Sequence, residues 1–160
     1  MIRHTFQRVK VTLVRERAAE PYTIARQLVK HGGDAANLLR TVIGSNPREV
    51  ITAIYLDVRC RIIGLHEVST GTIDQAIVHP RDIFGPALTL SASALILAHN
   101  HPSGDATPSG QDKAVTERIK QCGEMLGVAM LDHIVVGESR YYSFADECFF
   151  PYACTPRATA

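Results

Sequence analysis

The sequence predicts an α/β or α+β domain, and three observations lead to this prediction. Apolar runs of strand length alternate along the chain with longer stretches of helical periodicity. The run ALILA at 94–98 is continuously apolar, as in strands that are buried on both faces. The chain has 160 residues, which suits one domain, and 46% of them are hydrophobic and 21% charged. This composition excludes disordered, collagen-like and small disulfide-built proteins.

The N-terminal part is predicted to contain one strand and two helices. Apolar residues alternate at 9–14, as they do in a strand. Pro21 is expected to open a helix that Gly32 and Gly33 end, and Asp34 to cap a second helix. The sequence GSNP at 44–47 then breaks the chain. We therefore expect residues 1–46 to pack as a strand and helices on the domain formed by 47–160.

After this break, strands and helices are expected to alternate. Turn residues separate the apolar runs, and the periodicity changes between two and 3.6 residues. The predicted elements are strands at 50–56 and 61–68, a helix at 82–90, a strand at 94–98, a helix from 109 to about 126, and strands at 129–136 and 141–144.

The charge balance and the cysteines narrow the classes of partner. The chain has 17 Lys and Arg residues and 16 Asp and Glu residues, which gives a formal charge of +1. DNA is a possible partner, but this charge does not support it, because DNA-binding domains are usually far more basic. No apolar run reaches the ~18 residues of a membrane helix, and the charged N-terminus has no signal-peptide centre. The cysteines form no CxxC pair, as expected of reduced thiols in a cytoplasmic protein. They are Cys60, Cys122, Cys148 and Cys154.

Two histidines at the end of the ALILA strand are the first candidate metal ligands. His99 and His101 are two residues apart, so both side chains leave one face of a strand, roughly 6.6 Å apart at ~3.3 Å per residue. Pro102 is expected to stop the strand, which puts the pair at its C-terminal end, where open α/β sheets bind ligands. Two imidazoles in this arrangement can bind one metal ion.

A third ligand is predicted at the start of the following helix. Ser109 is a natural N-cap, and Asp112 then occupies the third helical position. Two histidines and one carboxylate leave a tetrahedral zinc ion with one open position for water, which is typical of a catalytic site. Zinc is preferred because mixed nitrogen and oxygen ligands suit it, with iron and manganese as the alternatives. Such a site also needs a base, and spacing alone does not choose between the upstream carboxylates of Glu49 and Glu67.

The chain resembles a known metalloprotease family in this region. HNHP, then six residues, then S-x-x-D reproduces the JAMM (MPN-plus) motif. ILAHNHPSGDATPS, the preceding GTIDQAIVHPRDIF and the later LDHIVVG resemble the RadC family over about residues 49–144. The resemblance implies a layered, cytidine-deaminase-like (JAB/MPN) fold of the α/β class, with a mixed central sheet flanked by helices. Longer RadC proteins also carry an N-terminal helix-hairpin-helix-like region, for which this chain is too short.

The resemblance also implies roles for individual residues. His99, His101 and Asp112 would bind one Zn²⁺ per chain, and Ser109 would stabilise the tetrahedral intermediate by a hydrogen bond. The family carries a glutamate at the start of an early strand beside an apolar run, and Glu49 in REVITAIYL occupies that place. We therefore expect Glu49, rather than Glu67, to act as general acid and base.

The predicted function is zinc-dependent hydrolysis of a peptide or isopeptide amide bond in a protein or peptide substrate. Two alternatives come from other classes: a nucleic-acid-binding protein or nuclease associated with DNA repair, and a catalytically silent MPN-type interaction module. No membrane partner is expected. The apolar tail ECFFPYAC at 147–154 is expected to pack on the domain or on a second subunit, which makes a homodimer possible.

Overall fold

The fold is a mixed six-stranded sheet with helices on both faces. It is described here from a computed structural model that covers residues 27–71 and 78–152. In chain order, the elements are α1 (Gly32–Ile43), β1 (Val50–Leu56), β2 (Ile62–Thr70), α2 (Pro80–Thr89), β3 (Ala94–Asn100), α3 (Gly110–Leu126), β4 (Ala129–Val136), β5 (Arg140–Ser143) and β6 (Cys148–Pro151). The predicted α/β class is confirmed.

The strand order across the sheet is β2-β1-β3-β4-β5-β6. Only β3 and β4 run parallel, and the other neighbouring pairs are antiparallel. Helix α3 connects β3 to β4, as a parallel connection requires. β1 and β3 are fully buried because helices cover both faces. The C-terminal end of β3 therefore lies in the middle of the sheet, beside the start of β1.

Two apolar clusters fill the space between the sheet and the helices. Even-numbered residues of β1 and β3, such as Ile54 and Ile96, pack with Leu39 of α1. Odd-numbered residues, such as Leu97, pack on the opposite face with α2 and with Ile119 of α3. This alternation decides which side chains at the end of β3 point toward α3.

The beginning of α1 differs from the prediction. Leu28 belongs to the stretch predicted as a helix, but it forms an antiparallel bridge with Arg61. Gly32 and Gly33 lie in the first turn of α1 rather than at the end of a preceding helix, and His31 is its N-cap. The Asp34 carboxylate, predicted to cap, accepts hydrogen bonds from the backbone N–H groups of Lys30 and His31, so this residue acts from the third helical position.

Most later elements lie where the sequence predicted them. The bounds of β1 and β4 match the prediction, whereas β3 continues two residues further than predicted, through Asn100. β6 was not predicted as a strand, and its pairing with β5 places part of the apolar tail on the sheet edge of this domain. The strand predicted at 9–14 lies outside the described residues, and the predicted division at residue 46 stays a prediction. No helix in the described ranges is long and apolar enough to cross a membrane.

Candidate metal centre

Four side chains converge at the C-terminal end of β3. Glu49, His99, His101 and Asp112 each offer one ligand atom, and these atoms all lie within 4.8 Å of one another. They come from three elements that the fold brings together: the start of β1, the end of β3 and the first turn of α3. This group could hold a metal ion.

Strand geometry directs the two histidines to the same side. His99 lies opposite Ile51 of β1, on the sheet face that α3 covers. The backbone N–H of His101 donates to the carbonyl of Val136, so the ladder to β4 continues past the last residue of β3. The two Nε2 atoms are 3.0 Å apart, so the predicted convergence of the pair is observed.

The first turn of α3 supplies the carboxylate. Ser109 is the N-cap and its hydroxyl oxygen accepts from the backbone N–H of Asp112, at 3.1 Å. The Asp112 carboxylate in turn accepts from the backbone N–H of Ser109 at 2.7 Å. This reciprocal pair of bonds fixes the aspartate at the third helical position, as predicted. One Asp112 oxygen lies 3.2 Å from His99 Nε2 and the other 3.7 Å from His101 Nε2.

The distances among these three side chains suit a zinc ion. Ligand atoms at ~2.0–2.1 Å from a tetrahedral zinc are about 3.3 Å from one another. The two histidine Nε2 atoms are 3.0 Å apart, His99 Nε2 lies 3.2 Å from Asp112 Oδ1, and His101 Nε2 lies 3.7 Å from the other oxygen, Asp112 Oδ2. Glu49 Oε1 lies slightly further out, 3.8 Å from His99 Nε2.

A hydrogen bond sets the proton position on His101. Its Nδ1 lies 2.6 Å from the backbone carbonyl oxygen of Asp105. A carbonyl oxygen only accepts, so Nδ1 carries the proton and, in the neutral ring, Nε2 presents its lone pair to the group. Metal-binding histidines are commonly oriented by such a bond on their second nitrogen.

His99 is oriented through a second, longer chain of bonds. Its Nδ1 lies 2.9 Å from Nε2 of His133, whose Nδ1 lies 2.6 Å from the Thr116 hydroxyl oxygen. That hydroxyl donates to the carbonyl of Asp112, at 2.6 Å. Because the Thr116 hydroxyl donates to Asp112, it accepts from the Nδ1–H group of His133. The Nε2 atom of His133 then accepts from the Nδ1–H group of His99. The Nε2 atom of His99 therefore keeps its lone pair.

The electrostatics of the site keep the Asp112 carboxylate ionised and, without a cation, favour a proton on His101. Burial alone would raise the pKa of Asp112, but the adjacent His101 and His99 rings lower the pKa well below its usual range. The same carboxylate raises the pKa of His101. Burial holds the pKa of His133 well below its ordinary value, so this ring is neutral. A carboxylate and two ring lone pairs facing one another repel unless a cation or protons lie between them.

One side of the group is closed and the other is open. The side chains of His99 and Asp112 are 1% and 2% exposed, whereas those of His101 and Glu49 are each 17% exposed. A groove of about 510 Å³ opens beside His101, lined mainly by residues 44–47 and 102–104. Of the four residues of the group, His101 is the one that lines this groove.

The remaining sequence candidates lie elsewhere. Glu67 is exposed on β2, its carboxylate accepts from the Thr70 hydroxyl, and it is not a member of the group. Asp105 lies in the loop between His101 and Ser109, and its carboxylate accepts from the backbone N–H and the hydroxyl of Thr107. Sequence reasoning missed its carbonyl as a partner of His101. It also missed the bonds made by Thr116 and by His133, which lies opposite Leu97 on the face of His99 and is not a member of the four-residue group.

Comparison with known proteins identifies the family. The sequence profile of the RadC-like JAB domain matches residues 29–149. A "UPF0758 protein" of Thermotoga maritima is 47% identical over 100 residues, which are 62% of this chain and 45% of that protein. Another from Moorella thermoacetica is 36% identical over 138 residues, which are 86% of this chain and 60% of that protein. These names state no activity.

The match covers most of this chain but only part of its relatives. The chain spans about half the length of these curated proteins, between 45% and 60% in the two cases above. The matched region contains all four residues of the candidate metal group. The protein belongs to the family of RadC-like JAB domains.

Proposed function

We propose that this protein is a zinc-dependent hydrolase that cleaves a peptide or isopeptide amide bond. One observation carries the proposal: two histidines, an aspartate and a glutamate from three elements converge within 4.8 Å beside an open groove. The mixed nitrogen and oxygen donors suit zinc. His99, His101 and Asp112 would hold the ion, which supplies Lewis acidity and lowers the pKa of a water molecule to near 7.

Glu49 is the proton carrier in this proposal. Its carboxylate lies beside the histidines on the more exposed side of the group, 3.8 Å from His99 Nε2. A carboxylate in this position accepts a proton from the attacking water and transfers it to the nitrogen of the leaving amine. Glu67 cannot take this role without leaving β2, because it lies on a strand separated from β3 by β1.

Ser109 is the proposed partner of the negative oxygen that develops on the substrate carbonyl. Its oxygen accepts from the Asp112 backbone N–H, which uses one lone pair. The hydroxyl proton is not needed for that bond and can be donated to the substrate oxygen. A positioned donor of this kind stabilises the transition state more than the ground state. The Ser109 hydroxyl can therefore cap α3 and donate to the substrate oxygen at the same time.

The proposed function is tested with purified, zinc-loaded protein. A fluorogenic peptide library and peptides joined through a lysine ε-amide serve as substrates, with an aliquot treated with a chelator for comparison. We expect cleavage of at least one amide class that the chelator abolishes and added zinc restores. Glu49→Gln should retain zinc and lose at least 100-fold in turnover, because it removes the proton acceptor.

Glu67→Gln is the matched control, since it makes the same change outside the group. It should leave turnover unchanged. Equal turnover in wild type and Glu49→Gln would contradict the assigned proton carrier. A zinc-loaded wild type that cleaves none of the substrates would count against amide hydrolysis and favour the silent interaction module.

A further inference from the structure

The residue between the two histidines points away from the metal group. In a strand, alternate side chains leave opposite faces. His99 faces α3, so Asn100 faces the side of the sheet that α1 covers. There the connection from α1 to β1, residues 44–49, passes over the end of β3.

Asn100 is buried and all its side-chain hydrogen-bonding groups are used across this connection. It is 1% exposed. Its amide oxygen accepts from the backbone N–H of Val50 at 2.8 Å. Its amide nitrogen donates to the carbonyls of Asn46 and Arg48, both at 3.1 Å. Two of these three bonds are to the residues that directly precede and follow Glu49.

The ordinary sheet ladder does not hold this part of the chain against β3. Pairing between β1 and β3 stops at Ile51 and His99. At Val50, the residue before Ile51, the side-chain oxygen of Asn100 accepts the backbone N–H instead of a backbone carbonyl of β3. On its other side the carbonyl of Glu49 accepts from the backbone N–H of Gly71, at 2.9 Å. The backbone of Glu49 is thus fixed between β3 and the end of β2.

We propose that Asn100 is a positioning residue that keeps the Glu49 carboxylate at its distance from the two histidines. One three-residue stretch, His99 to His101, would then supply two candidate metal ligands and the amide that places the base. Asn100 itself does not contact the reacting atoms. The expected effect of Asn100 on turnover rests on the proposed function. Its effect on the position of Glu49 can be measured without any substrate.

The test uses two variants. Asn100→Asp keeps the size of the side chain and removes both amide donors, and Asn100→Ser removes all three bonds with a smaller side chain. Both should bind one equivalent of zinc, because the two histidines and Asp112 are unchanged. Amide hydrogen exchange at Val50 should become about tenfold faster in Asn100→Ser, as expected for loss of one buried hydrogen bond. Crystal structures of the zinc-loaded variants should show the Glu49 carboxylate displaced.

A double-variant comparison separates positioning from a general structural defect. If Asn100 acts through Glu49, Asn100→Ser combined with Glu49→Gln should be no slower than Glu49→Gln alone. Asn37→Ala is the matched control, since it changes an amide side chain in α1, outside the connection of residues 44–49 that Asn100 contacts. It should leave Val50 exchange unchanged.

Three results would overturn the inference: unchanged Val50 exchange in Asn100→Ser, an undisplaced Glu49 in both variants, or effects on turnover that multiply in the double variant. Absence of hydrolysis in the wild type would instead count against the proposed function, and the exchange and crystallographic measurements would still decide the role of Asn100.

Discussion

His99 and His133 contact each other through their ring nitrogens, 2.9 Å apart, on the neighbouring strands β3 and β4. His133 is 2% exposed, and its second nitrogen contacts Thr116 of α3. A candidate metal ligand is thereby fixed by a buried ring that does not itself belong to the four-residue group. Residues that orient a ligand in this way commonly contribute 10–100-fold to metal affinity.

Replacing His133 is therefore expected to weaken zinc binding. In His133→Leu, the Nδ1 group of His99 loses its partner in a buried site, so the ring is no longer held with Nε2 toward the group. We expect zinc affinity, measured by competition with a chelating dye, to fall about 10–100-fold. His79→Leu makes the same change at an exposed helix N-cap and should leave the affinity unchanged. Equal affinity in wild type and His133→Leu would refute this relationship.

Ser109 can be tested by comparing two replacements. Loss of an N-cap hydroxyl to alanine costs roughly 1 kcal/mol of stability, whereas loss to glycine costs only a few tenths. Ser109→Ala should therefore lower the free energy of unfolding more than Ser109→Gly, in urea titrations. Both variants lack the donor proposed for the substrate oxygen, so both should lose about 100-fold or more in turnover. If Ser109→Gly keeps full turnover, the serine acts as a cap alone.

The metal-free protein should lose stability as the pH rises above about 6.5. The pKa of His101 is raised by the Asp112 carboxylate, so its contribution is complete below the unfolded-state pKa of ~6.5 and is lost as pH rises through the folded value. His133 acts in the opposite direction, since its folded pKa is lowered: its contribution to stability still rises as the unfolded-state ring loses its proton and becomes constant only from about pH 7.5, so it offsets part of the decline between pH 6.5 and 7.5. Urea titrations with chelator at pH 6.5, 7.5 and 8.5 measure this decline.

Zinc binding should show the opposite dependence over the same range. The ion displaces the proton from His101, so zinc affinity is expected to rise with pH while the metal-free protein becomes less stable. Asp112→Asn removes the carboxylate that raises the pKa of His101, and it should flatten the decline of the metal-free protein. A decline of equal size in Asp112→Asn would show that another group causes it.

One buried hydroxyl in β1 offers a test of the fold that is independent of the site. The Thr52 side chain is 1% exposed, and its oxygen has no hydrogen-bond partner among the described residues. Thr52→Val keeps the branched shape and removes the unsatisfied group, so it should stabilise the protein by about 1 kcal/mol. That corresponds to a rise of roughly 2–4 °C in Tm. A fall in Tm would mean that the hydroxyl has a partner in solution.

The sequence predicted the parts of the fold that depend on local signals. Mainly apolar runs with turn residues at their ends were enough to give the bounds of β1 and β4. Ser109 and Asp112 were placed correctly because a capping box is a local arrangement of four residues. The pairing of two histidines on one strand face follows from strand geometry alone.

The parts that were missed depend on contacts between distant residues. Asn100 contacts Val50, and His99 contacts His133, across 50 and 34 positions of sequence. No local pattern indicates such partners before the sheet order is known. Leu28 was assigned to a helix by its apolar periodicity, but its bridge to Arg61 gives it an extended partner that the pattern does not reveal.

The central claim is that His99, His101 and Asp112 bind one metal ion together. Elemental analysis of purified wild type and His101→Ala, after dialysis against zinc and gel filtration, tests it most directly. We predict about one equivalent of zinc in the wild type and much less in His101→Ala, with Glu67→Gln equal to the wild type. Equal zinc contents in the wild type and His101→Ala would contradict the claim.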